Sequence, residues 1–172
     1  MRLTKGNIEK FTTATYEIEE LKPQPCHFEA IEYIKQRRRK KPTIGDIMNL
    51  HEIIMSGFTD KLQMRTGPLM VNNRRAPDPR EIPQMFLAWL DTWGKTCYKS
   101  FSKKKHCFLR HCEFEYIHPF PEGNGVVGRL IYLWDCLYNS TQMDIIIDRE
   151  KYFKQLDEYN YELRSRILSR WS

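Results

Sequence analysis

The 172-residue chain contains no apolar run approaching the roughly 18 residues of a membrane span. It also has no internal repeat and no low-complexity tract. None of its five cysteines (Cys26, Cys97, Cys107, Cys112 and Cys136) falls in a Cys-x-x-Cys pair. An odd, scattered set argues against a disulfide framework and predicts reduced, packed thiols in a cytosolic protein. Cys107, His111 and Cys112 lie close together, but no second ligand pair completes a structural zinc site. The first residues, Met1-Arg2-Leu3-Thr4-Lys5, lack the apolar segment of a signal peptide. The net charge of +6 comes largely from Lys35 to Lys41 and from Lys103-Lys104-Lys105. No aromatic residues interleave with the longer run, as stacking on single-stranded nucleic acid would require, so we expect a solvated helix end there.

What is present is helical periodicity. Ile8, Phe11, Ala14, Ile18 and Leu21 predict a first helix over 7–20 with Asn7 as its N-cap. Further helices are expected over about 27–37, 43–55, 78–94 and 107–117, then from Asn124 onward. Leu50-His51 lies on an apolar stripe, where a hydrogen-bonded core histidine is the expectation. The helical period lapses from Phe58 to Pro79. There Leu69-Met70-Val71 and Asn72-Asn73 predict a short hairpin, and Ala76-Pro77-Asp78-Pro79 blocks a central strand. Met143 to Ile147 reads as a short extended run. Asp148 then caps a helix through Tyr152, Phe153 and Leu156, and a final amphipathic stretch covers 159–171. The expected fold is all-α with one small β-hairpin, in a single domain over 1–172.

The densest chemistry lies in His118-Pro119-Phe120-Pro121-Glu122-Gly123-Asn124-Gly125-Val126-Val127-Gly128-Arg129. Pro119 pushes His118 out of the αR region, so the preceding helix should end near Ile117. Gly123 and Gly125 permit a tight turn, and a helix starting at Asn124 aims its free N–H groups back at the loop. Such an end suits phosphate. His118 can accept a hydroxyl proton, and Glu122 offers a hard oxygen to Mg²⁺. Asn124 can donate to phosphate, and Arg129 brings a planar cation.

This loop resembles the signature of the Fic (Fic/Doc, Fido) family, His-Pro-Phe-x-Asp/Glu-Gly-Asn-Gly-Arg-x-x-Arg, departing from it only at Val126. The resemblance implies transfer of AMP from Mg·ATP to a hydroxyl of a target protein, with His118 as base and Glu122 holding the metal. It further implies nucleotide binding by Phe120, Gly123, Asn124, Gly125, Gly128 and Arg129. The expected adenine pocket is Tyr152, Phe153 and Asn160. In the family the hairpin is a flap that docks the target, here over 67–79 with Leu69, Met70, Val71 and Asn72. Some relatives transfer phosphate, phosphocholine or UMP, or remove AMP, and loss of the first Arg also admits a nucleotide binder without turnover. An Arg restored at 126 is expected to face the phosphates and tighten ATP binding, the alternative being that Val126 packs inward, where a charge would destabilise the domain. An antitoxin partner or self-association is also admitted, as is delivery into a host cytosol as an effector.

Many family members carry an inhibitory helix reading Ser/Thr-x-x-x-Glu-Gly/Asn, whose Glu pairs with the second motif Arg. Thr15 to Glu19 fits, with Glu20 in the last position. The expected inhibitory residue within 1–22 is therefore Glu19 opposite Arg129, with Glu17 in a second frame.

Overall fold

The computed structural model describes residues 4–59, 62–71, 73–94, 102–143 and 148–158. They are mostly helical, with one two-stranded antiparallel sheet. Helix α1 (Lys5–Ile18) is capped by Thr4, whose side chain accepts from the Asn7 amide. Thr4 and not Asn7 is thus the N-cap, because the hydroxyl reaches a free N–H three residues on. The helix also ends two residues before the expected boundary. Glu20 adopts φ 58°, its N–H bonds to the Glu17 carbonyl at 3.1 Å, and the Leu21 N–H bonds to the Tyr16 carbonyl at 2.9 Å. This is the Schellman ending, which demands a left-handed residue at the position after the C-cap.

Helix α2 (Pro25–Arg37) starts with proline in its first turn. Helix α3 (Ile44–Met55) has a reciprocal capping box between Thr43 and Asp46. Strands β1 (Met70–Val71) and β2 (Arg74–Arg75) form the expected hairpin, with Met70 opposite Arg75 and Val71 opposite Arg74. Asp78 caps a 3₁₀ turn at Pro79–Glu81, and α4 (Ile82–Asp91) follows it. The expected longer helix is divided there because Pro83 falls in the first turn of α4.

Helix α5 (Lys103–Ile117) begins four residues earlier than its apolar spacing indicates, since Ser102 caps it by accepting from Lys105. It packs on α6 (Asn124–Tyr138), which also meets α3, α2 and α1. Residues 149–158 form α7, capped by Asp148 accepting from the Lys151 amide. Asn160, the extended run at 144–147 and the amphipathic stretch at 159–171 lie outside the described residues.

The core gathers Ile31, Ile34, Ile47, Leu50, Phe86, Trp93, Phe114, Leu130 and Trp134 around α5 and α6. A second cluster of Ile18, Cys112, Tyr152 and Leu156 ties the end of α1 to α7. Between α5 and α6, Arg110 makes a two-pronged bond to Asp135, at 2.6 and 3.0 Å, with both side chains buried. Asp135→Ala would leave a buried guanidinium without its counter-charge, and we expect a loss of about 3–5 kcal/mol in urea unfolding. A loss below about 1 kcal/mol would mean that water reaches the pair. Among the described residues, no helix is long and apolar enough to cross a membrane, and no group of three or more His, Cys, Asp or Glu side chains could hold a metal.

Candidate active site

The helix α5 stops at His118 itself, which adopts φ 49° and ψ 62°. Pro119 disfavours αR at this residue, and here the chain goes left-handed, a conformation costly for a residue with a Cβ. The surroundings hold it there. Arg65 donates from Nε to the His118 carbonyl at 2.8 Å and from its amide to the Pro119 carbonyl at 2.8 Å. The same buried guanidinium reaches the Gly67 and Pro77 carbonyls, so it staples the base of the hairpin to the loop.

His118 Nδ1 faces the Glu115 carbonyl at 3.3 Å, an acceptor only, so Nδ1 carries the proton. Nε2 is left with its lone pair, as a base needs. Burial lowers the imidazole to about 4, with Arg74 and Arg65 nearby acting in the same sense. His111 and His27 are lowered to about 3, chiefly by burial and then by Arg129. In an NMR titration the three rings should therefore keep constant shifts between pH 8 and 5, whereas any that titrates near 6.5 contradicts the packing. The unfolded chain takes up those protons near pH 6.5. Their stabilising effect is thus complete above that pH and is lost as pH falls through 6.5 toward 4. Glu115 is pushed up to about 7 by burial and has the opposite sign, recovering stability as pH falls through 7.

The rest of the loop is clamped from below. Phe120 is buried and stacks on His51 with ring centroids 3.8 Å apart. His51 Nε2 bonds to the Glu122 carbonyl at 3.1 Å, which makes His51 a structural histidine. Asn124 was expected to donate to phosphate, but its buried amide accepts from the Phe120 N–H at 2.9 Å and donates to the Phe120 carbonyl at 2.8 Å. One Nδ2 hydrogen remains for a ligand. Gly123 caps α6 with φ 79°, where a side chain is strained and would also strike Met55. Glu122 stands exposed at the cleft and enters no ion pair among the described residues. Val126 is 5% exposed and belongs to the apolar core, although it forms part of a cavity floor. Val126 thus packs inward while bordering the cleft, and an Arg at 126 would have to displace that packing to reach the cavity it lines.

Arg129 is fully buried from the first turns of α6. Its Nη2 donates to the Glu19 carboxylate and, at 3.2 Å, to the Thr15 carbonyl, while Nη1 reaches the Tyr152 hydroxyl at 3.4 Å. A side chain at Gly125 would collide with the Glu19 carboxylate and crowd Arg129 Nη1, so glycine there permits the pairing. Gly128 likewise makes room for Glu115. Glu17 lies on the exposed face of α1, and it is Glu19 that meets Arg129. Behind Arg129, His111 Nδ1 donates to the Gly128 carbonyl at 3.0 Å, so its Nε2 accepts from the Tyr152 hydroxyl at 2.8 Å. Tyr152 is thereby fixed, and the exposure it keeps is 1%.

Two cavities flank this centre. One, of about 270 Å³, is lined by Arg129, Glu115, Arg74, Val71, Tyr152 and Phe153 among others. The second, of about 420 Å³, is lined by Glu122, Gly123, Asn124, Val126, Met55 and Phe58. Glu19, His118 and Gly125 belong to both, so the Glu19 carboxylate stands as a partition in one cleft. Met70 on the hairpin is 62% exposed, Leu69 is half-buried, and Asn72 lies outside the described residues. Arg65, Arg74, Glu115 and His111 carry no signal in spacing, because each is a polar residue whose burial depends on distant chain segments.

A helical domain with a hairpin beside a His-Pro-Phe loop at a helix N-terminus is the architecture that the sequence motif implies. The model of the Fic/DOC family matches residues 41–134, over half of the chain, and the chain belongs to that family. It is 24% identical over 165 residues to a probable protein adenylyltransferase of Aquifex aeolicus (strain VF5), covering 88% of this chain and 51% of the relative. It is 25% identical over 142 residues to a protein adenylyltransferase Fic of Nematostella vectensis, covering 77% and 33%. The chain thus spans about half or less of the length of these curated relatives. Among solved structures it resembles a Fic family protein from Desulfovibrio desulfuricans G20, with a TM-score of 0.58 and 23% identity over 80% of this chain and 50% of that one. A Fic domain-containing signaling protein from Bacteroides thetaiotaomicron VPI-5482 aligns with a TM-score of 0.66 and 20% identity, over 80% and 56%.

Proposed function

We propose that this domain transfers AMP from Mg·ATP to a hydroxyl side chain of a target protein. The observation that carries this reading is the fixed tautomer of His118, whose free Nε2 lone pair shares a cleft with Arg129 and the N-terminus of α6. The target oxygen attacks the α-phosphorus as its proton passes to His118 Nε2. The bond between the α-phosphorus and the bridging oxygen breaks, and pyrophosphate leaves. The amides at Gly123 to Gly125 and the Arg129 guanidinium bind the phosphates, where fixed donors stabilise developing charge. Glu122 suits Mg²⁺ because it is a single hard, unpaired carboxylate, and Mg²⁺ ordinarily binds through one or two carboxylates plus substrate phosphates. That ion would neutralise phosphate charge. Phe153 and Tyr152 border the space assigned to the adenine.

The hairpin edge at Leu69 to Val71 aligns the target segment by strand pairing, with exposed Met70 offered to it. Glu19 holds the site off from within the chain, since ATP must break its bond to Arg129. Mass spectrometry after incubation with Mg·ATP tests the reading, first on the protein itself and then on added candidate targets. A gain of AMP supports it, while a gain of phosphate alone or no gain under any condition contradicts it.

A further inference from the structure

Position 126 supplies no cation, since it is a valine. A second guanidinium nevertheless faces the cleft, from the hairpin and not from α6. Arg74 on β2 pairs with Val71 on β1, and cross-strand partners project from the same face of a hairpin. Both residues line the smaller cavity together with His118, Glu115 and Arg129. Arg74 is held in place from beneath. Its guanidinium carbon lies 4.5 Å from the centre of the Tyr116 ring, and Nη2 donates to the Tyr116 carbonyl at 3.3 Å.

Tyr116 is two residues before His118, so this anchoring fixes the Arg74 cation relative to the base. Its charge reaches the two groups at the centre, contributing to the lowering of His118 and partly offsetting the rise of Glu115. Arg129 and Arg74 thus stand on α6 and on the hairpin respectively, facing one cavity that also holds the Glu19 carboxylate. A cavity that must admit a polyphosphate gains from a second planar cation, which can bond two phosphate oxygens at once.

We infer that Arg74 is the second phosphate-binding cation of this site and contacts the α-phosphate beside His118, in place of the Arg that position 126 lacks. The inference rests on the AMP-transfer reading. In that position the guanidinium neutralises the non-bridging oxygens while the target oxygen adds to the α-phosphorus. It also couples the hairpin that docks the target to the nucleotide.

The test is calorimetric binding of adenosine, AMP, ADP and ATP, with Mg²⁺ present, to Glu19→Gly protein carrying Arg74, Arg74→Lys or Arg74→Gln. The Glu19→Gly background removes the carboxylate that competes for Arg129. For Arg74→Gln we expect AMP, ADP and ATP each to weaken by about tenfold or more, to a similar extent, with adenosine unchanged. Arg74→Lys should recover part of that loss, as a point charge without the fork. Equal affinities in all three proteins would overturn the inference while leaving AMP transfer standing. A loss confined to ATP would place the contact on the outer phosphates and overturn the α-phosphate assignment. An equal loss for adenosine would make Arg74 a structural residue of the hairpin and also overturn it. Failure of the Arg74 parent to bind any of the nucleotides would defeat the AMP-transfer reading and the inference together.

Discussion

His118→Ala should lose AMP transfer by about 10²–10⁴-fold, the usual contribution of a positioned general base, with nucleotide affinity and melting temperature near those of the parent. The reasons are local. The imidazole proton is spent on the Glu115 carbonyl, leaving Nε2 as acceptor at the meeting of the two cavities. The loop's shape does not depend on that ring. Arg65 holds the His118 carbonyl, Asn124 clamps Phe120, and His51 supports Glu122 through main-chain atoms that alanine retains. Because burial lowers His118 to about 4, the ring is already neutral at pH 7 and no proton need be lost before it can act. Single-turnover rates with a fixed target, beside equilibrium ATP binding, check both halves of the expectation. Parent-like turnover in His118→Ala would remove His118 from the mechanism.

Glu19→Gly is expected to bind Mg·ATP about tenfold to a hundredfold more tightly and to raise self-modification correspondingly. A charge-assisted hydrogen bond contributes about 1.5–3 kcal/mol, and each ~1.4 kcal/mol of competition weakens productive binding tenfold. The Glu19 side chain is only one-third exposed, so solvent screens the pair less than a surface pair. Glu17→Gly is the control, because Glu17 points to solvent and its loss leaves Arg129 paired. Glu20 accounts for the pattern's last position in physical terms. The C-cap must pass through a left-handed residue at φ 58°, which Gly or Asn adopts with less strain than Glu. The chain offsets this with α7, whose Arg149 donates to the Ile18 carbonyl at 2.9 Å and pairs with Glu20 at 3.2 Å. Equal binding in parent, Glu17→Gly and Glu19→Gly would retire the internal switch.

The contact between Glu19 and Arg129, 110 positions apart in the chain, was legible because two local patterns each marked one partner. The apolar spacing marked α1 to α4, α6 and the hairpin for the same reason: each presents one apolar face or one turn signal. Helix α5 was less legible. Its spacing singles out Phe108, Leu109, Cys112, Tyr116 and Ile117, of which Leu109, Cys112 and Ile117 are buried, yet Arg110, His111, Glu113 and Glu115 are buried as well. A helix packed on several sides buries polar groups that only tertiary partners can satisfy, such as Asp135 for Arg110 and Gly128 for His111. Arg65 and Arg74 were hidden for a related reason, since their worth lies in carbonyls and a ring supplied by the end of α5. Val126 both joins the apolar core and lines the larger cavity, and the motif position alone could not choose between those two placements.

Central to this account is that the cleft breaks the bond beyond the α-phosphorus of ATP and keeps the nucleotide. The most direct measurement is parallel incubation of Glu19→Gly protein with Mg²⁺ and ATP labelled at either the α- or the γ-phosphorus, followed by separation of protein from free nucleotide. The account predicts protein-bound label from α-labelled ATP alone, with pyrophosphate released and no labelling in the His118→Ala, Glu19→Gly double variant. Protein-bound label from γ-labelled ATP, or labelling that survives His118→Ala, would contradict it.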